Sequence, residues 1–149
     1  DSKGDVRGTR WNVDVDDYAL SITKSSDLHL YAIDIINNIG GCLKIENVSK
    51  VYSEYLHINS ASIKTAYDSI QVNDGSSLSA NNININSGIA CLVADNNSDV
   101  SFTKGDIVLT TTLSNCCLIQ NGSRLVIGTS AVLYFSSEIH MFIIIMREF

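Results

Sequence analysis

The chain contains no proline, and charged and aromatic residues are both infrequent in it. Of its 149 residues, 17% are charged and 7% are aromatic, whereas 45% are hydrophobic. This hydrophobic content excludes an intrinsically disordered chain. The strong helix formers are scarce and no apolar stripe with a 3.6-residue period persists, which argues against a helical protein. The abundant residues are Ser, Asn, Asp, Ile, Val and Thr, a mixture typical of short strands joined by polar turns.

Long apolar runs and an excess of basic residues are absent as well. The longest apolar run, at 141–146, ends well short of the ~20 residues that a membrane-spanning helix needs, so no membrane partner is expected. The net charge of -6 and the pI of about 4.8 repel phosphate groups, so no nucleic-acid partner is expected either. Neither a start methionine nor a signal peptide opens the chain, which favours a fragment or a processed product.

Motifs for metal binding, phosphate binding and nucleophilic catalysis are also missing. The four cysteines and three histidines have no zinc-type spacing, and neither a phosphate-binding loop nor a nucleophile elbow occurs. We therefore predict no metal and no cofactor. Cys42, Cys91, Cys116 and Cys117 are predicted to be free thiols with a packing role, because no basic cluster is placed to activate a thiolate.

Five segments of the chain superpose as one repeat. Each has a short alternating strand, a polar turn, a second strand and a third apolar pair. The first apolar positions are Leu20, Leu43, Ile70, Leu92 and Leu118. The second strands begin eight residues later, or seven in the last segment, at Leu28, Val51, Leu78, Val100 and Leu125. The third pairs are Ile33 and Ile35, Leu56 and Ile58, Ile83 and Ile85, Ile107 and Leu109, Ala131 and Leu133.

This spacing predicts an all-β fold, a right-handed parallel β-helix of about five coils of 22–27 residues. One coil cannot bury its inward row alone, so successive coils stack at ~4.8 Å and place equivalent aliphatic side chains in columns. A polar ladder is expected on the turns, formed by Asn47, Asn73, Asn96 and Asn121. A strip of small residues should face away from the aliphatic column, formed by Ala19, Cys42, Ser69, Cys91 and Cys117. The alternative architecture is a β-sandwich, which does not require a constant offset between strands.

The two ends of the chain depart from the repeat. Residues 1–18 are predicted to form an irregular cap segment, 19–135 the parallel β-helix, and 136–149 a C-terminal strand that caps the stack or mediates oligomerisation. The apolar stretch at 142–145 would be an aggregation hazard if exposed, so it is expected to pair with the last coil or with a neighbouring subunit. Trp11 either covers the end of the stack or serves as a sugar platform.

Alternation predicts a chemically distinctive patch on the outer face of the first two coils. Its members are His29, Tyr31 and Asp34 on one coil and Tyr52, Glu54 and His57 on the next. Aromatic rings and carboxylates suit sugars, which present apolar C–H faces and many hydroxyl groups. The candidate substrate-binding residues are therefore Trp11, His29, Tyr31 and Tyr52. The alternative is an ordinary solvated face.

Two reactions are compatible with the residues of this patch. Asp34 and Glu54 are candidates for the carboxyl pair of a glycoside hydrolase. In a polysaccharide lyase, His57 would instead be the base, with Lys44 or Arg10 as the cation that holds the substrate carboxylate. The candidate catalytic residues are therefore Asp34, Glu54 and His57, and whether the protein is an enzyme stays open.

The stacked strand–turn–strand units, of which residues 69–85 (SIQVNDGSSLSANNINI) are one, resemble the pectate-lyase-like parallel β-helices. Phage tailspikes and capsule depolymerases belong to that group. The resemblance covers about residues 19–135 and specifies a fold rather than an activity. It implies a homotrimer on a virion tail, phage or prophage encoded, that binds bacterial surface or capsular polysaccharide and depolymerises it. No catalytic residue is carried over from the group.

Two further interpretations keep the β-helix but remove the catalysis. In one, the chain is a non-catalytic adhesin or passenger segment, at a bacterial cell surface or secreted, or the stem of a tail fibre. In the other, it is a trimer-forming element of a longer spike, motivated by the apolar stretch at 142–146.

Overall fold

The structure, a computed structural model, describes residues 2–60, 67–112, 116–137 and 143–144. These ranges form thirteen strands and contain no helix of the length and apolarity needed to cross a membrane. Six strands are short: β3 (Leu20–Ile22), β5 (Leu43–Ile45), β7 (Ile70–Val72), β9 (Leu92–Ala94), β11 (Cys117–Ile119) and β13 (Ile143–Ile144). Seven belong to a second sheet: β1 (Lys3–Arg7), β2 (Arg10–Val13), β4 (Asp27–Asn37), β6 (Lys50–Ser60), β8 (Ser77–Ser87), β10 (Asp99–Thr111) and β12 (Arg124–Ser137).

The strands form two parallel sheets that run side by side along one axis. The short sheet has the order β13-β11-β9-β7-β5-β3, and the long sheet has the order β1-β4-β6-β8-β10-β12, with β2 also paired to β4. Chain neighbours therefore alternate between the sheets, and each rung contributes one strand to each of them. All the pairings are parallel, which confirms a parallel β-solenoid of about five turns and excludes the β-sandwich.

The inward columns run through the stack as the repeat predicts, with two corrections in the last rung. Cys117 pairs with Leu92, whereas Leu118 pairs with Val93, so the predicted place of Leu118 in the column is wrong. The offset to the second strand, at Leu125, is therefore eight residues in this rung too. The third pair is also displaced, because Leu133 and Phe135, rather than Ala131 and Leu133, match Ile107 and Leu109.

Extra residues inside the long strands explain the second correction. The register shifts between Phe102 and Lys104, and again before Ile107, so β10 holds more residues than β8 over the same length. A further shift occurs opposite β12, where Phe102 pairs with Ile127 and Lys104 with Ser130. Irregularities of this kind insert a residue without disturbing the rungs on either side. Rung length therefore varies within strands as well as in turns.

The first corner, between the short and long strands, is a turn of repeated geometry. Two successive residues have positive φ in each rung, as in Asn47 and Val48 or Asn96 and Asn97. The predicted ladder is present with one correction, since Asp74 rather than Asn73 occupies the equivalent position and accepts a hydrogen bond from Asn96 Nδ2. Behind the turn lies a row of serines that occurs once per rung, namely Ser26, Ser49, Ser76, Ser98 and Ser123.

A second corner divides each long strand into two segments. A single residue of positive φ lies at this corner in five successive rungs, with φ between 50° and 79°: Gly8, Ala32, Tyr55, Asn82 and Gly105. The left-handed conformation turns the chain while the flanking residues stay paired. Side chains just before the corner therefore face a different direction from those just after it.

The cysteines lie inside the solenoid, which corrects the predicted outward strip. All four are free thiols and are buried within the apolar core. Cys42, Cys91 and Cys116 occupy equivalent places, and their thiols contact backbone carbonyl oxygens of neighbouring strands. Burial raises the pKa of Cys42 to about 12, which keeps this thiol protonated at neutral pH. The cysteines that precede β5, β9 and β11 therefore fill the corner between the sheets.

Strands at both ends of the chain extend the two sheets. Within the predicted irregular segment 1–18, β1 and β2 pair with β4, so the long sheet begins before the first complete rung. At the other end, β13 pairs with β11 through Leu118 and Ile143. The rest of the predicted C-terminal strand, at 138–142 and 145–149, lies outside the described residues.

Candidate functional site

The distinctive surface is the outer face of β1, β4 and β6 before the second corner. Alternation in these three strands directs every second side chain outward, and the parallel register places them side by side. Three rows result: Lys3, Asp27 and Lys50; Asp5, His29 and Tyr52; Arg7, Tyr31 and Glu54. We call these nine residues the outer patch. It contains His29, Tyr31, Tyr52 and Glu54 from the sequence prediction, together with five residues that the prediction missed.

A groove of about 400 Å³ crosses the first two rows of the outer patch, and Lys3, Lys50, His29 and Tyr52 line it. The His29 and Tyr52 rings meet edge to face, with centroids 5.5 Å apart. Such contacts fix ring orientation. Within the described part of the chain, the buried His29 Nε2 has no hydrogen-bond partner.

The third row ends at the second corner in a cluster of two tyrosines and an arginine. The Tyr31 ring lies 5.9 Å from the Arg7 guanidinium and 5.8 Å from the Tyr55 ring, which it meets edge to face. Arg7 also donates to both carboxylate oxygens of Asp5, and this hydrogen bonding holds the pKa of Asp5 below its usual range. The Arg7 charge is therefore fixed over the Tyr31 ring by an acidic partner.

Past the second corner, one arginine, one aspartate and one histidine form a row across β2, β4 and β6. Asp34 lies in register with Arg10 on one side and with His57 on the other. Arg10 Nε donates to Asp34 Oδ2, and His57 Nδ1 lies 3.0 Å from Asp34 Oδ1. Both carboxylate oxygens are thus engaged, and the contact orients the imidazole. The structure brings together His57 and Arg10, the predicted base and one of its two predicted cations.

The other predicted partners lie elsewhere. Glu54 is in register with Tyr31, on the opposite side of the second corner from Asp34, and its Oε1 lies 4.0 Å from Lys104 Nζ. Lys44 lies on the short sheet, where it pairs with Glu46 at 2.8 Å. The contacts therefore associate Asp34 with His57 and Arg10 rather than with Glu54, and they remove Lys44 from the site.

Trp11 lies apart from the outer patch. It is in register with Ile35, whose side chain belongs to the inward column, and it packs half-buried against the apolar core. Of the two roles predicted for Trp11, this placement matches the one in which the indole covers the end of the stack.

Two features of the sequence could have identified residues that the prediction missed. Lys3, Asp5 and Arg7 alternate with Gly4 and Val6, the pattern of a half-buried strand, within a segment read as irregular. Tyr55 was missed for another reason. It breaks alternation because it occupies the second corner, where the Asn and Gly of later rungs indicate a left-handed backbone.

The combination of aromatic and charged side chains does not continue into β8 and β10. The row of His29 and Tyr52 continues as Ser79 and Ser101, and the row of Asp34 and His57 continues as Asn84 and Val108. Tyr134 on β12 follows Val108 and is exposed, three strands away from His57. The candidate site therefore occupies the first rungs. No group of three or more His, Cys, Asp or Glu side chains placed to hold a metal ion occurs among the residues that the structure describes.

Fold and surface together define a parallel β-solenoid with a groove of aromatic and cationic residues at one end. Comparison of the chain with protein-family models, with curated proteins and with solved structures gives no match. Function is therefore argued from the residues of the site.

Proposed function

We propose that the chain binds carbohydrate through the outer patch. The observation that supports this most directly is the groove of about 400 Å³, in which the His29 and Tyr52 rings lie beside the row of Lys3, Asp27 and Lys50. Sugars offer apolar C–H faces to aromatic edges and faces, and hydroxyl or carboxylate groups to cations. A flat sheet presents these contacts in line, which suits an extended chain of sugar units.

The charge of the groove favours a polysaccharide with acidic groups. The chain as a whole has a net charge of -6, yet its groove holds two lysines and one carboxylate, Asp27. Such a local reversal of sign attracts an anion to this place and away from the remaining surface. The sequence resemblance predicts that the polysaccharide is bacterial, from a capsule or an O-antigen.

Binding can be tested with an array of purified bacterial capsular and O-antigen polysaccharides. The wild-type chain should be retained on a subset of the acidic ones, and the double variant H29A/Y52A should lose about tenfold or more of this binding, since two ring contacts are removed. Ser101→Ala is the matched control, because Ser101 lies in the same row as Tyr52 but beyond the groove. Equal retention of all three proteins would exclude the outer patch as the site.

Depolymerisation is the second candidate function, and the row of Arg10, Asp34 and His57 favours it. In a lyase reaction, Arg10 would hold a sugar carboxylate while His57 removes the proton from the carbon beside it, with Asp34 positioning both side chains. The glycosidic C–O bond at the next carbon would then break, which leaves a carbon–carbon double bond on one sugar and an oxygen on the other that takes up a proton. Glu54 lies before the second corner and Asp34 lies past it, which makes a hydrolase based on these two residues the weaker alternative.

Cleavage can be separated from binding on the same polysaccharides. A lyase produces an unsaturated sugar that absorbs ultraviolet light, a hydrolase produces only new reducing ends, and a binding module produces neither. We expect His57→Ala to abolish ultraviolet-absorbing product while retention on the array persists. Arg10→Ala should also abolish the product, with some loss of retention because Arg10 binds the substrate carboxylate. Retention without any product from the wild-type chain would favour the non-catalytic adhesin or tail-fibre stem.

The assignment to a tailspike on a virion tail and the homotrimeric state remain predictions from the sequence resemblance. Sedimentation of the purified chain separates the monomer from the trimer. A monomer that binds polysaccharide would support the proposed site and contradict the predicted assembly.

A further inference from the structure

We infer that Tyr55 is a glycan-contacting residue, which forms with Tyr31 and Arg7 a second subsite beside the groove. We call these three residues the corner subsite. The inference rests on the proposed carbohydrate binding and adds to it a residue that neither alternation nor the groove identifies.

The first observation is backbone strain at Tyr55. Its φ is 58°, in the left-handed region, where a bulky side chain is an outlier because Cβ crowds the following carbonyl oxygen. The same corner is occupied by Asn82 and Gly105 in later rungs, residue types that adopt this conformation readily. The corner therefore does not require an aromatic residue. The left-handed backbone belongs to the corner in five successive rungs, and what is particular to Tyr55 is that it places a bulky aromatic side chain there.

The second observation is that packing does not account for the tyrosine. Tyr55 is 52% exposed, and Leu56 next to it supplies the buried side chain of this part of the rung. In the described part of the chain, its ring contact is with Tyr31, which is itself 39% exposed. An aromatic ring that contributes little to the core and lies on the surface is available to a ligand.

The third observation concerns the side chains around the Tyr55 ring. The Tyr31 and Tyr55 rings are nearly perpendicular, at 86°, so each presents a different surface to solvent. The Arg7 guanidinium lies on the Tyr31 side, with fixed donors for a hydroxyl or carboxylate. A sugar ring can stack on the aromatic surface while Arg7 binds its polar edge. The corner subsite also lies between the groove and the row of Asp34 and His57. It therefore joins these two parts of the surface.

The test compares Tyr55→Asn, which copies Asn82, with Val48→Asn, which relieves left-handed strain at the first corner and removes no member of the outer patch. The probes are the bacterial polysaccharides of the array. Tyr55→Asn should reduce retention at least fivefold while its urea unfolding midpoint stays the same or rises. Val48→Asn should raise the midpoint and leave retention unchanged. Tyr55→Gly, which copies Gly105, repeats the measurement with a second replacement at the same position.

Three outcomes would overturn the inference. One is wild-type retention by both Tyr55 variants while H29A/Y52A loses binding, which would leave the proposed function intact and remove only the corner subsite. Another is a fall in retention that parallels a fall in the unfolding midpoint, because Tyr55 would then serve the fold. The last is a wild-type chain that binds no polysaccharide, which removes the proposed function and the subsite together.

Discussion

Individual residues hold backbone conformations in this solenoid that their side chains disfavour, and Val48 is the plainest case. It has a φ of 60° in the first-corner turn and is 60% exposed. Equivalent turns place Gly75, Asn97 and Gly122 at this position, all with positive φ. A β-branched residue in the left-handed region costs about 1–2 kcal/mol, and burial does not compensate for it here.

Replacing Val48 should therefore stabilise the protein. We expect Val48→Asn or Val48→Gly to raise the free energy of unfolding by about 1 kcal/mol, measured by urea denaturation. Val132→Asn is the matched control, an exposed valine outside the positive-φ positions, and its stability should change by less than about 0.5 kcal/mol. A stability of Val48→Asn at or below that of the wild type would contradict the strain argument.

A second residue-scale property is the titration of Asp68. Burial raises its pKa from 3.8 to about 6, and it lies against Tyr18, whose pKa is raised by burial and by the nearby Asp68 charge. Asp17 is the other carboxylate beside Tyr18. Because the folded state favours the protonated Asp68, its contribution to stability is complete below pH ~4 and is lost as the pH rises through about 6.

Asp68→Asn should remove this loss, because the amide stays uncharged. The variant should match the wild type near pH 4 and exceed it by about 2 kcal/mol at pH 7 to 8, a difference measured as the pH dependence of urea midpoints. Asp74→Asn, an exposed carboxylate on the first corner, serves as the control. Parallel pH profiles for the wild type and Asp68→Asn would show that the Asp68 carboxylate is solvated in the folded protein.

At the scale of the element, each rung is held to the next by a repeated side-chain ladder as well as by the sheets. The Ser49 backbone N–H donates to Ser76 Oγ at 3.1 Å, and the Ser98 N–H donates to Ser123 Oγ at 3.0 Å. Both serines of the first pair are buried. A buried donor that loses its acceptor costs about 1–3 kcal/mol, more than a surface hydroxyl contributes. The ladder therefore fixes the first corner from inside.

Ser76→Ala should destabilise the protein by about 1–2 kcal/mol, since it leaves the buried Ser49 N–H without its acceptor. Ser101→Ala, an outward serine at only partial burial, should cost less than about 0.5 kcal/mol. The comparison uses urea denaturation of both variants. Equal, small effects for both would mean that the corner is held by the backbone pairings alone.

The register of the strands was predicted from the sequence at some positions and not at others. Inward columns such as Leu28, Val51 and Leu78 were predictable because burial forces every rung to repeat one pattern of alternation. The shift that moves Leu133 and Phe135 into register was not, because an extra residue inside a strand leaves no turn signal. The sequence pattern assigned Leu118 to the inward column in place of Cys117, because both residues are apolar. Only the burial of Cys117 in the structure distinguishes them.

For the whole molecule, the repeat dictates the architecture but not the site. Stacking requires only the inward residues, so the outward ones vary freely from rung to rung and carry the function. His29, Tyr52, Asp34 and His57 were predictable as neighbours from alternation and rung spacing. Contacts made by the first strand and by the second corner were not, because segment 1–18 lacks a full repeat and the corner breaks alternation.

The central claim is that one end of the solenoid binds a glycan on its outer face. The most direct measurement is a titration of isotope-labelled protein, followed by amide chemical shifts in NMR spectra, with an oligosaccharide cut from the best-retained polysaccharide. Our account predicts that the shifted amides cluster in residues 3–7, 27–34 and 50–57. Shifts that cluster on β10 and β12 or on the short sheet, with those three segments unchanged, would contradict it.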